Sequence, residues 1–178
     1  SGVWGSKSWY YDAELIISNL QSLRKNKQVK PRYIMLANLK VFDCIETGLS
    51  EKIRFNGIQF IDNRSLDFEV LKENFKNYIS YEKYVEIIEK IADPTIRDEM
   101  YKLIKVTEYL KMLGCNMPIV YSLKNFHGTG YYTDVTYHIY GEINGEKNIL
   151  LADGGRIDQM MNVLSNGKDI PACCMGIG

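Results

Sequence analysis

The sequence lacks the features that mark several specialised classes of protein. It has no net charge, because 22 Lys and Arg residues balance 22 Asp and Glu residues. Without an overall electric field, we do not expect it to bind tRNA or an anionic membrane surface. No apolar run approaches the ~18 residues of a membrane-spanning helix, and the start lacks the basic and then apolar order of a signal peptide. We therefore expect a cytoplasmic protein without a membrane segment.

Clusters of catalytic or metal-binding side chains are also missing. The cysteines are Cys44, Cys115, Cys173 and Cys174. They lack the C-x-x-C spacing of a zinc site, and adjacent cysteines are poorly placed to bridge each other, so we expect free thiols in a reducing compartment. The histidines His127 and His138 have no metal-binding or nucleophile partner at a recognisable spacing. The sequence therefore predicts no metal site and no catalytic residue.

The first two thirds of the chain have mainly helical patterns. Apolar residues at helical spacing predict a helix at Tyr10–Lys25, and an apolar, aromatic stretch at Arg32–Leu36 predicts a strand. Val41–Leu49 reads as a short helix. A helical region follows over about 66–114, in segments Asp67–Tyr78, Tyr81–Ile91 and Pro94–Leu113. Pro94 fits a first helical turn and Gly114 fits a C-terminal cap.

The period changes after Gly114, and a sheet region is expected over about 118–178. The predicted strands are Pro118–Leu123, Tyr131–Tyr140, Asn148–Ala152 and Pro171–Gly178. A turn over Gly141–Lys147 makes the middle pair an antiparallel hairpin, and Arg156–Leu164 reads as a helix. Helices early and strands late predict an α+β fold, with residues 1–178 as a single domain.

The segment Gly154-Gly155-Arg156 is expected to form a turn between a strand and a helix. Glycines there let the backbone approach a ligand, a helix N-terminus favours anions, and Arg156 adds a forked cation. The alternative is a structural turn whose arginine pairs with a carboxylate. Tyr131 and Tyr132 are equally open between a ligand site and an aromatic strand edge.

Taken in order, these segments resemble the histidyl-tRNA synthetase family. Residues 128–133 resemble its R-G-L-D-Y-Y-T-G motif, residues 152–158 resemble its G-G-R-Y-D segment, and residues 171–178 resemble the strand that opens class II motif 3. The resemblance implies a class II synthetase-like antiparallel sheet flanked by helices. It also implies that the chain is the C-terminal part of a catalytic core. The other class II motif arginines would then lie before Ser1 or after Gly178.

Three positions depart from the family pattern in ways that matter for its chemistry. His127 stands where the resemblance places an arginine, and a neutral imidazole provides neither a permanent charge nor a bidentate fork. Gly130 replaces an acidic residue. Ile157 replaces a tyrosine that, by the resemblance, encloses the imidazole of histidine. The resemblance therefore implies a core that has lost aminoacylation.

The family relationship leads to one preferred function and two alternatives. We expect a catalytically inactive regulatory subunit of ATP phosphoribosyltransferase, acting in histidine biosynthesis, with that enzyme's catalytic subunit as its partner. A remnant pocket for histidine would be lined by Tyr131, Tyr132, Gly154, Gly155 and Arg156. A homodimer is a further expectation, and no cofactor is expected. The alternatives are a fragment of a divergent histidine-tRNA ligase, which would need ATP and magnesium, and a non-catalytic synthetase-like sensor or accessory domain.

Overall fold

The computed structural model describes residues 2–4, 8–42, 74, 78–123 and 132–178. The strands in these ranges are β1 (Gly2–Trp4), β2 (Val29–Asn38), β3 (Ile119–Ser122), β4 (Val135–Ile143), β5 (Glu146–Arg156) and β6 (Ala172–Ile177). The helices are α1 (Tyr10–Arg24), α2 (Tyr81–Lys90), α3 (Pro94–Met112) and α4 (Asp158–Leu164). Apart from residues 74 and 78, the helix predicted at Asp67–Tyr78 lies outside the described residues, and so does most of the one predicted at Val41–Leu49.

The strands form one sheet in the order β1-β6-β5-β4-β2-β3. All neighbouring strands run antiparallel except β2 and β3, which are parallel. Helices α1 and α3 pack against one side of this sheet and share a core with it. The predicted α+β class, with an antiparallel sheet flanked by helices, is confirmed apart from that single parallel pair.

Strand β2 lies inside the sheet although it precedes the helical region in the chain. It pairs with β4 on one side and with β3 on the other. Residues 34–38 are all buried, as expected for an apolar run in the interior of a sheet. The sheet is therefore not confined to the predicted region 118–178, because β1 and β2 also belong to it.

The long helix α3 begins and ends as its sequence predicts. The side chain of Asp93 accepts hydrogen bonds from the backbone N–H groups of Thr95 and Ile96, at 2.8 and 3.3 Å. Pro94 occupies the first turn, where its missing N–H has no partner to lose. Gly114 follows with φ +80°, a conformation that L side chains rarely adopt. These local signals place the helix without help from tertiary contacts.

The hairpin formed by β4 and β5 is longer than predicted, and its turn is shorter. Only Asn144 and Gly145 make the turn, with φ values of 52° and 90°. Two positive φ values give a turn whose twist matches the two strands, so pairing continues up to it. Strand β5 then runs through Gly154 and Gly155 to Arg156. The predicted turn at 141–147 and the predicted helix start at Arg156 are both wrong, since α4 begins at Asp158.

Candidate functional site

The two sides of the sheet carry different chemistry. Residues that pair across neighbouring strands share a side, and successive residues of one strand alternate. The pairings of Thr136 with Gly155 and of Tyr137 with Gly154 therefore place these pairs on opposite sides. The side packed against α1 and α3, here called the helix-covered face, includes Ile34, Leu36, Tyr137, Ile139, Ala152, Gly154 and Arg156. The opposite side, here called the polar face, includes Tyr33, Met35, Thr136, His138, Tyr140, Asp153, Gly155, Cys174 and Gly176.

Tyr132 lies over Gly155 on the polar face. A Cβ atom at Gly155 would come within 2.9 Å of Tyr132 Cδ1 and 2.8 Å of Thr136 Cγ2. Only a residue without a side chain leaves room for both neighbours. Tyr132 also hydrogen bonds with the thiol of Cys174; burial raises the pKa of that thiol, and the Tyr132 hydrogen bond works in the opposite direction. Gly155 therefore serves close packing of an aromatic ring on the sheet.

A continuous set of polar groups extends along the polar face from Tyr132. Asp153 lies close enough to the Cys174 thiol to raise its pKa, although burial has the larger effect. His138 pairs with Asp153 across the strands β4 and β5. The Nδ1 atom of His138 lies 3.0 Å from the hydroxyl of Tyr140. Hydroxyl, thiol, carboxylate and imidazole groups thus follow one another across the centre of the sheet.

The Arg156 side chain lies on the helix-covered face, where Asp12 of α1 holds it. Its Nε atom donates to both carboxylate oxygens of Asp12 at 3.0 Å, and one terminal nitrogen donates to the Ser8 carbonyl at 2.8 Å. Both charged side chains are almost completely buried, at 1% and 2% exposed. The Trp9 ring covers the guanidinium, with its centroid 4.8 Å from Cζ. The arginine fixes α1 to the end of β5.

Ionisation of this buried pair is set by opposing effects. Burial raises the pKa of Asp12 to about 6, while the charge and hydrogen bonds of Arg156 oppose the increase. Burial also acts to lower the pKa of Arg156, but Asp12 outweighs it and raises that pKa overall. A paired carboxylate and guanidinium satisfy each other in a setting where either one alone would be strongly unfavourable. The pair is a structural contact and not a free cation for a ligand.

Gly154 also belongs to the helix-covered face. A Cβ atom there would lie 2.6 Å from the hydroxyl of Tyr137. That hydroxyl accepts a hydrogen bond of 2.7 Å from Nδ2 of Asn19 in α1. Burial raises the pKa of Tyr137 well above its usual range. Gly154 makes room for a buried link between helix and sheet.

The residues predicted to line one pocket are thus divided between two faces. Tyr132 and Gly155 meet on the polar face, whereas Gly154 and Arg156 lie on the other side. Tyr131, together with the degenerate motif positions His127 and Gly130, lies outside the described residues. The prediction that Arg156 pairs with a structural carboxylate is confirmed. The accompanying prediction that Arg156 lies in a turn is wrong, because it belongs to strand β5.

Ile157 lies in a small apolar cluster beside Tyr132. The cluster also contains Leu39 and Ala172, and Met160 and Met161 pack against it. Ile157 is 5% exposed, so an alkyl group fills this position where the family motif has a tyrosine. The cluster offers packing but no hydroxyl at residue 157.

Several polar residues near the candidate site were not singled out in the sequence. Asp12, Thr136 and Asp153 are the main examples, and His138 was considered only as a metal ligand or a nucleophile partner. Asp153 directly precedes Gly154 and Gly155, and this position could have drawn attention to it. It lies on the same side of the sheet as Gly155 only if residues 153–156 form a strand, as they do in the structure. The turn prediction hid this alternation.

A second charged network, of which only Asn38 and Asp134 are buried, lies where β2 and β4 meet helix α3. Lys102 and Lys40 both approach Oδ2 of Asp134, at 2.8 and 3.2 Å. Glu99 accepts a hydrogen bond from the side-chain amide of Asn38 and forms an ion pair with Lys102 at 2.6 Å. Two cations and two carboxylates cancel, so this network joins α3 to the sheet without leaving a net charge.

The fold of the chain is similar to that of many solved structures, of which three are described here. The chain superposes on an ATP phosphoribosyltransferase regulatory subunit/histidyl-tRNA synthetase from Bacillus halodurans C with a TM-score of 0.69, 15% identity and 99% of this chain covered. Histidyl-tRNA synthetase from Nostoc sp. PCC 7120 gives a TM-score of 0.73, 15% identity and 99% coverage. Apo histidyl-tRNA synthetase from S. aureus gives 0.57, 14% and 99%. The chain has a histidyl-tRNA synthetase-like fold.

This likeness confirms the resemblance and the class II fold that the motifs predicted. At 14–15% identity these structures show that the fold is shared, and they do not show a shared activity. No family model matches the chain, and no curated protein matches it. The chain covers 50%, 47% and 43% of the three neighbours, so it spans half of their length or less.

Membrane-spanning helices and metal-binding clusters are both absent from the part of the chain that the structure describes. None of its helices combines the length and apolar character that crossing a membrane requires. No three His, Cys, Asp or Glu side chains in these ranges gather closely enough to hold a metal ion. Cys115, Cys173 and Cys174 form no disulfide, as predicted, and Cys44 lies outside the described ranges.

Proposed function

We propose that the chain belongs to a catalytically inactive, histidyl-tRNA synthetase-like regulatory subunit of ATP phosphoribosyltransferase. In this role it senses histidine at a pocket on the polar face beside Tyr132 and Gly155. It acts in histidine biosynthesis in the cytoplasm, with the catalytic subunit as its partner and a homodimer as its own assembly. A neighbour of the same fold, from Bacillus halodurans C, carries both the regulatory-subunit and the synthetase name.

The observation that carries the proposal is the apolar character of position 157. Ile157 packs against Tyr132, on the side of the sheet where the family motif would supply a tyrosine hydroxyl. A polar ligand group that loses its partner costs about 1–3 kcal/mol. The loss of this contact counts against aminoacylation with histidine, and any histidine pocket beside Ile157 has one hydrogen bond fewer than the family motif would give it.

The charges of the polar face support the same conclusion. No lysine or arginine occupies its paired positions within 33–37, 136–140, 153–155 and 174–176. Nucleoside triphosphates are held largely by arginine and lysine side chains together with magnesium. These paired positions therefore offer no arginine or lysine to the phosphates of ATP.

The test of this proposal is regulation of the partner enzyme. The intact protein is mixed with the short catalytic subunit of ATP phosphoribosyltransferase, and the rate of that subunit is measured with and without histidine. We expect complex formation on size exclusion and a rate that histidine lowers, because regulation is a coupling free energy between two sites. An intact protein that neither binds the subunit nor alters its rate contradicts the proposal.

The alternative is a fragment of a working histidine-tRNA ligase that uses ATP and magnesium. Two neighbours of the same fold, from Nostoc and S. aureus, are named as histidyl-tRNA synthetases, which favours this alternative. Histidine-dependent exchange of pyrophosphate into ATP by the intact protein would establish it and remove the regulatory proposal. A synthetase-like accessory domain that binds RNA is distinguished by salt-sensitive retention of RNA on filters.

A further inference from the structure

Positive charge is concentrated in one segment of a chain that is neutral overall. Residues 15–42 contain six lysine and arginine residues and no aspartate or glutamate. Five of the six fall within residues 24–32, where helix α1 ends and strand β2 begins. All five of these side chains are exposed. The balanced total therefore hides a local excess of positive charge on the surface.

Strand pairing brings the hairpin of β4 and β5 to the same end of the sheet. Lys30 pairs with Glu142 across β2 and β4. The backbone N–H of Asn144 donates to the carbonyl of Gln28 at 3.3 Å, so the hairpin turn lies against the turn between α1 and β2. Lys147 follows the hairpin turn and is also exposed. The cations gathered here, together called the basic end, are Arg24, Lys25, Lys27, Lys30, Arg32 and Lys147.

The turn between α1 and β2 has a backbone that local hydrogen bonds hold in place. The side-chain oxygen of Asn26 accepts from the N–H of Gln28 at 3.0 Å, and the Asn26 carbonyl accepts from the N–H of Val29 at 3.1 Å. A backbone that is already ordered loses little further freedom when a partner binds. The basic end therefore presents its cations from a preformed surface.

Glu142 shows how this surface treats a carboxylate. Two nitrogens of the Arg32 guanidinium lie 3.0 Å from the same oxygen of Glu142. Hydrogen bonding from Arg32 lowers the pKa of Glu142 against the effect of burial, and the charges of Lys147 and Lys30 also lower it. The basic end has six cations, and only Glu142 and Glu146 lie among them in the hairpin, which leaves an excess of four positive charges. Further carboxylates would be stabilised in the same way.

Local stability explains only part of this charge. Arg24 and Lys25 lie at the C-terminus of α1, where the helix dipole favours cations. Lys30 and Arg32 precede the part of β2 that pairs with β3, and charged side chains protect an open strand edge from unwanted pairing. Lys27 lies in the turn, where neither reason applies. The concentration of cations exceeds what the helix and the strand require.

The surroundings of the basic end favour a protein partner over nucleic acid or a membrane. A chain with no net charge has little long-range attraction for a large polyanion. Single-stranded nucleic acid also needs aromatic rings on which its bases stack, and Tyr33, next to Arg32, already stacks on Tyr140 at 5.2 Å. Charges of both signs, as found here with Glu142 and Glu146, are typical of complementary protein surfaces.

We infer that the basic end docks an acidic segment of a protein partner. The inference rests on the proposed function in one respect, because that function names the catalytic subunit as the partner. At physiological ionic strength charges act over only about 8 Å. The partner must therefore bring several aspartate or glutamate side chains into direct contact with the turn between α1 and β2.

A labelled glutamate-rich peptide tests the surface directly. Its fluorescence anisotropy is measured with the intact protein at increasing salt, and we expect binding that weakens as salt rises. An oligouridine of equal charge, and phosphatidylcholine vesicles that contain phosphatidylserine, are titrated in parallel. We expect both to bind more weakly than the peptide.

Charge-neutral variants identify the residues that bind the peptide. Replacing three lysines of the basic end by glutamine, as Lys25→Gln, Lys27→Gln and Lys30→Gln together, is expected to weaken peptide binding about tenfold. Replacing the same three by arginine keeps the charge and is expected to keep the binding.

The matched control removes the same amount of charge elsewhere. Lys83→Gln, Lys90→Gln and Lys105→Gln together alter exposed positions on α2 and α3 and are expected to change binding by less than about twofold. Melting temperatures of all three variants show whether the fold is kept.

The same variants are then mixed with the catalytic subunit of ATP phosphoribosyltransferase. The complex of the unmodified protein is expected to weaken with salt. The glutamine variant of the basic end should bind the subunit about tenfold more weakly, whereas the control should bind it normally.

The outcomes separate this inference from the proposed function. Peptide binding that the glutamine variant leaves unchanged, no peptide binding, or tighter binding of the oligouridine or the vesicles overturns the inference. A complex with the catalytic subunit that the glutamine variant leaves intact keeps the proposed function and loses the inference. If the catalytic subunit does not bind at all, the proposed function fails, and the peptide titration alone decides whether the basic end is a docking surface.

Discussion

The two faces of the sheet are built from alternate residues of the same strands, yet they satisfy their polar groups in different ways. On the helix-covered face, Arg156 is paired with Asp12, and the hydroxyl of Tyr137 accepts from Asn19. On the polar face, the hydroxyl of Thr136 has no partner among the described residues. The helix-covered face uses its polar groups to attach helix α1, whereas polar groups of the other face pair with one another, as His138 does with Tyr140. The difference separates contacts that hold a helix in place from contacts within the sheet.

The separation is sharpest within four consecutive residues of β5. Asp153 and Gly155 belong to the polar face, whereas Gly154 and Arg156 belong to the helix-covered face. Substitutions along this short segment should therefore disturb the two faces alternately, each affecting the neighbours on its own side of the sheet.

The largest effect is expected from Arg156→Ala. The substitution leaves the Asp12 carboxylate buried without its partner, which should cost about 3–5 kcal/mol of unfolding free energy. Urea unfolding measures the loss. The control is Arg24→Ala, which removes an exposed arginine from the last turn of α1 and should cost much less. Replacing both members together, as Asp12→Leu with Arg156→Met, should restore most of the stability. A loss below about 1 kcal/mol in the single variant would show that the two faces do not differ as described.

An intermediate effect is expected when a methyl group is added at either glycine. Gly155→Ala should displace Tyr132 and Thr136, and Gly154→Ala should displace Tyr137, each at a cost of about 1–3 kcal/mol. Spectra of carbon-labelled tyrosine should show the Tyr132 resonance moving in the first variant and the Tyr137 resonance in the second. If both variants move the same tyrosine, the assignment of faces is wrong.

A loss of similar size is expected from Tyr137→Phe. It removes the acceptor of the Asn19 side-chain amide in a buried setting and should cost about 1–3 kcal/mol. Tyr140→Phe serves as the control on the polar face, because Tyr140 is only partly buried. Adding Asn19→Leu to Tyr137→Phe should recover stability, and a double-mutant cycle without coupling would contradict the contact.

The smallest effect on stability, and the only one of opposite sign, is expected from Thr136→Val. Removing a buried hydroxyl without a partner should leave the unfolding free energy unchanged or raise it by about 1 kcal/mol. Thermal unfolding of the free protein measures this directly. A clear loss of stability would mean that the hydroxyl already has a partner within the folded chain, and the contrast between the faces would then disappear.

Local sequence patterns predicted several elements well, because short-range interactions decide them. Asp93 and Pro94 determine where α3 begins, and Gly114 determines where it ends. The spacing of apolar residues indicates the position of α1. The motif order over residues 128–178 also predicted the fold that the solved structures share. These features depend on neighbours in the chain or on a pattern that survives at low identity.

The candidate site was predicted less completely, because its geometry depends on strand pairing. Gly154, Gly155 and Arg156 looked like a turn, since paired glycines are common in turns and uncommon inside strands. In the structure both glycines lie within strand β5, where Tyr132 packs over Gly155 and Tyr137 packs over Gly154. Neither tyrosine could be matched to its glycine from spacing alone.

The sequence by itself therefore determined the class of fold, the main helices and the loss of the family hydroxyl at Ile157. Only the tertiary structure decided which side of the sheet each residue faces. The physical reason is the two-residue period of a strand, in which a change of one position exchanges every side chain between the faces. The partner of Arg156 illustrates this, since Asp12 is remote in the chain and becomes its neighbour only when α1 packs on β5.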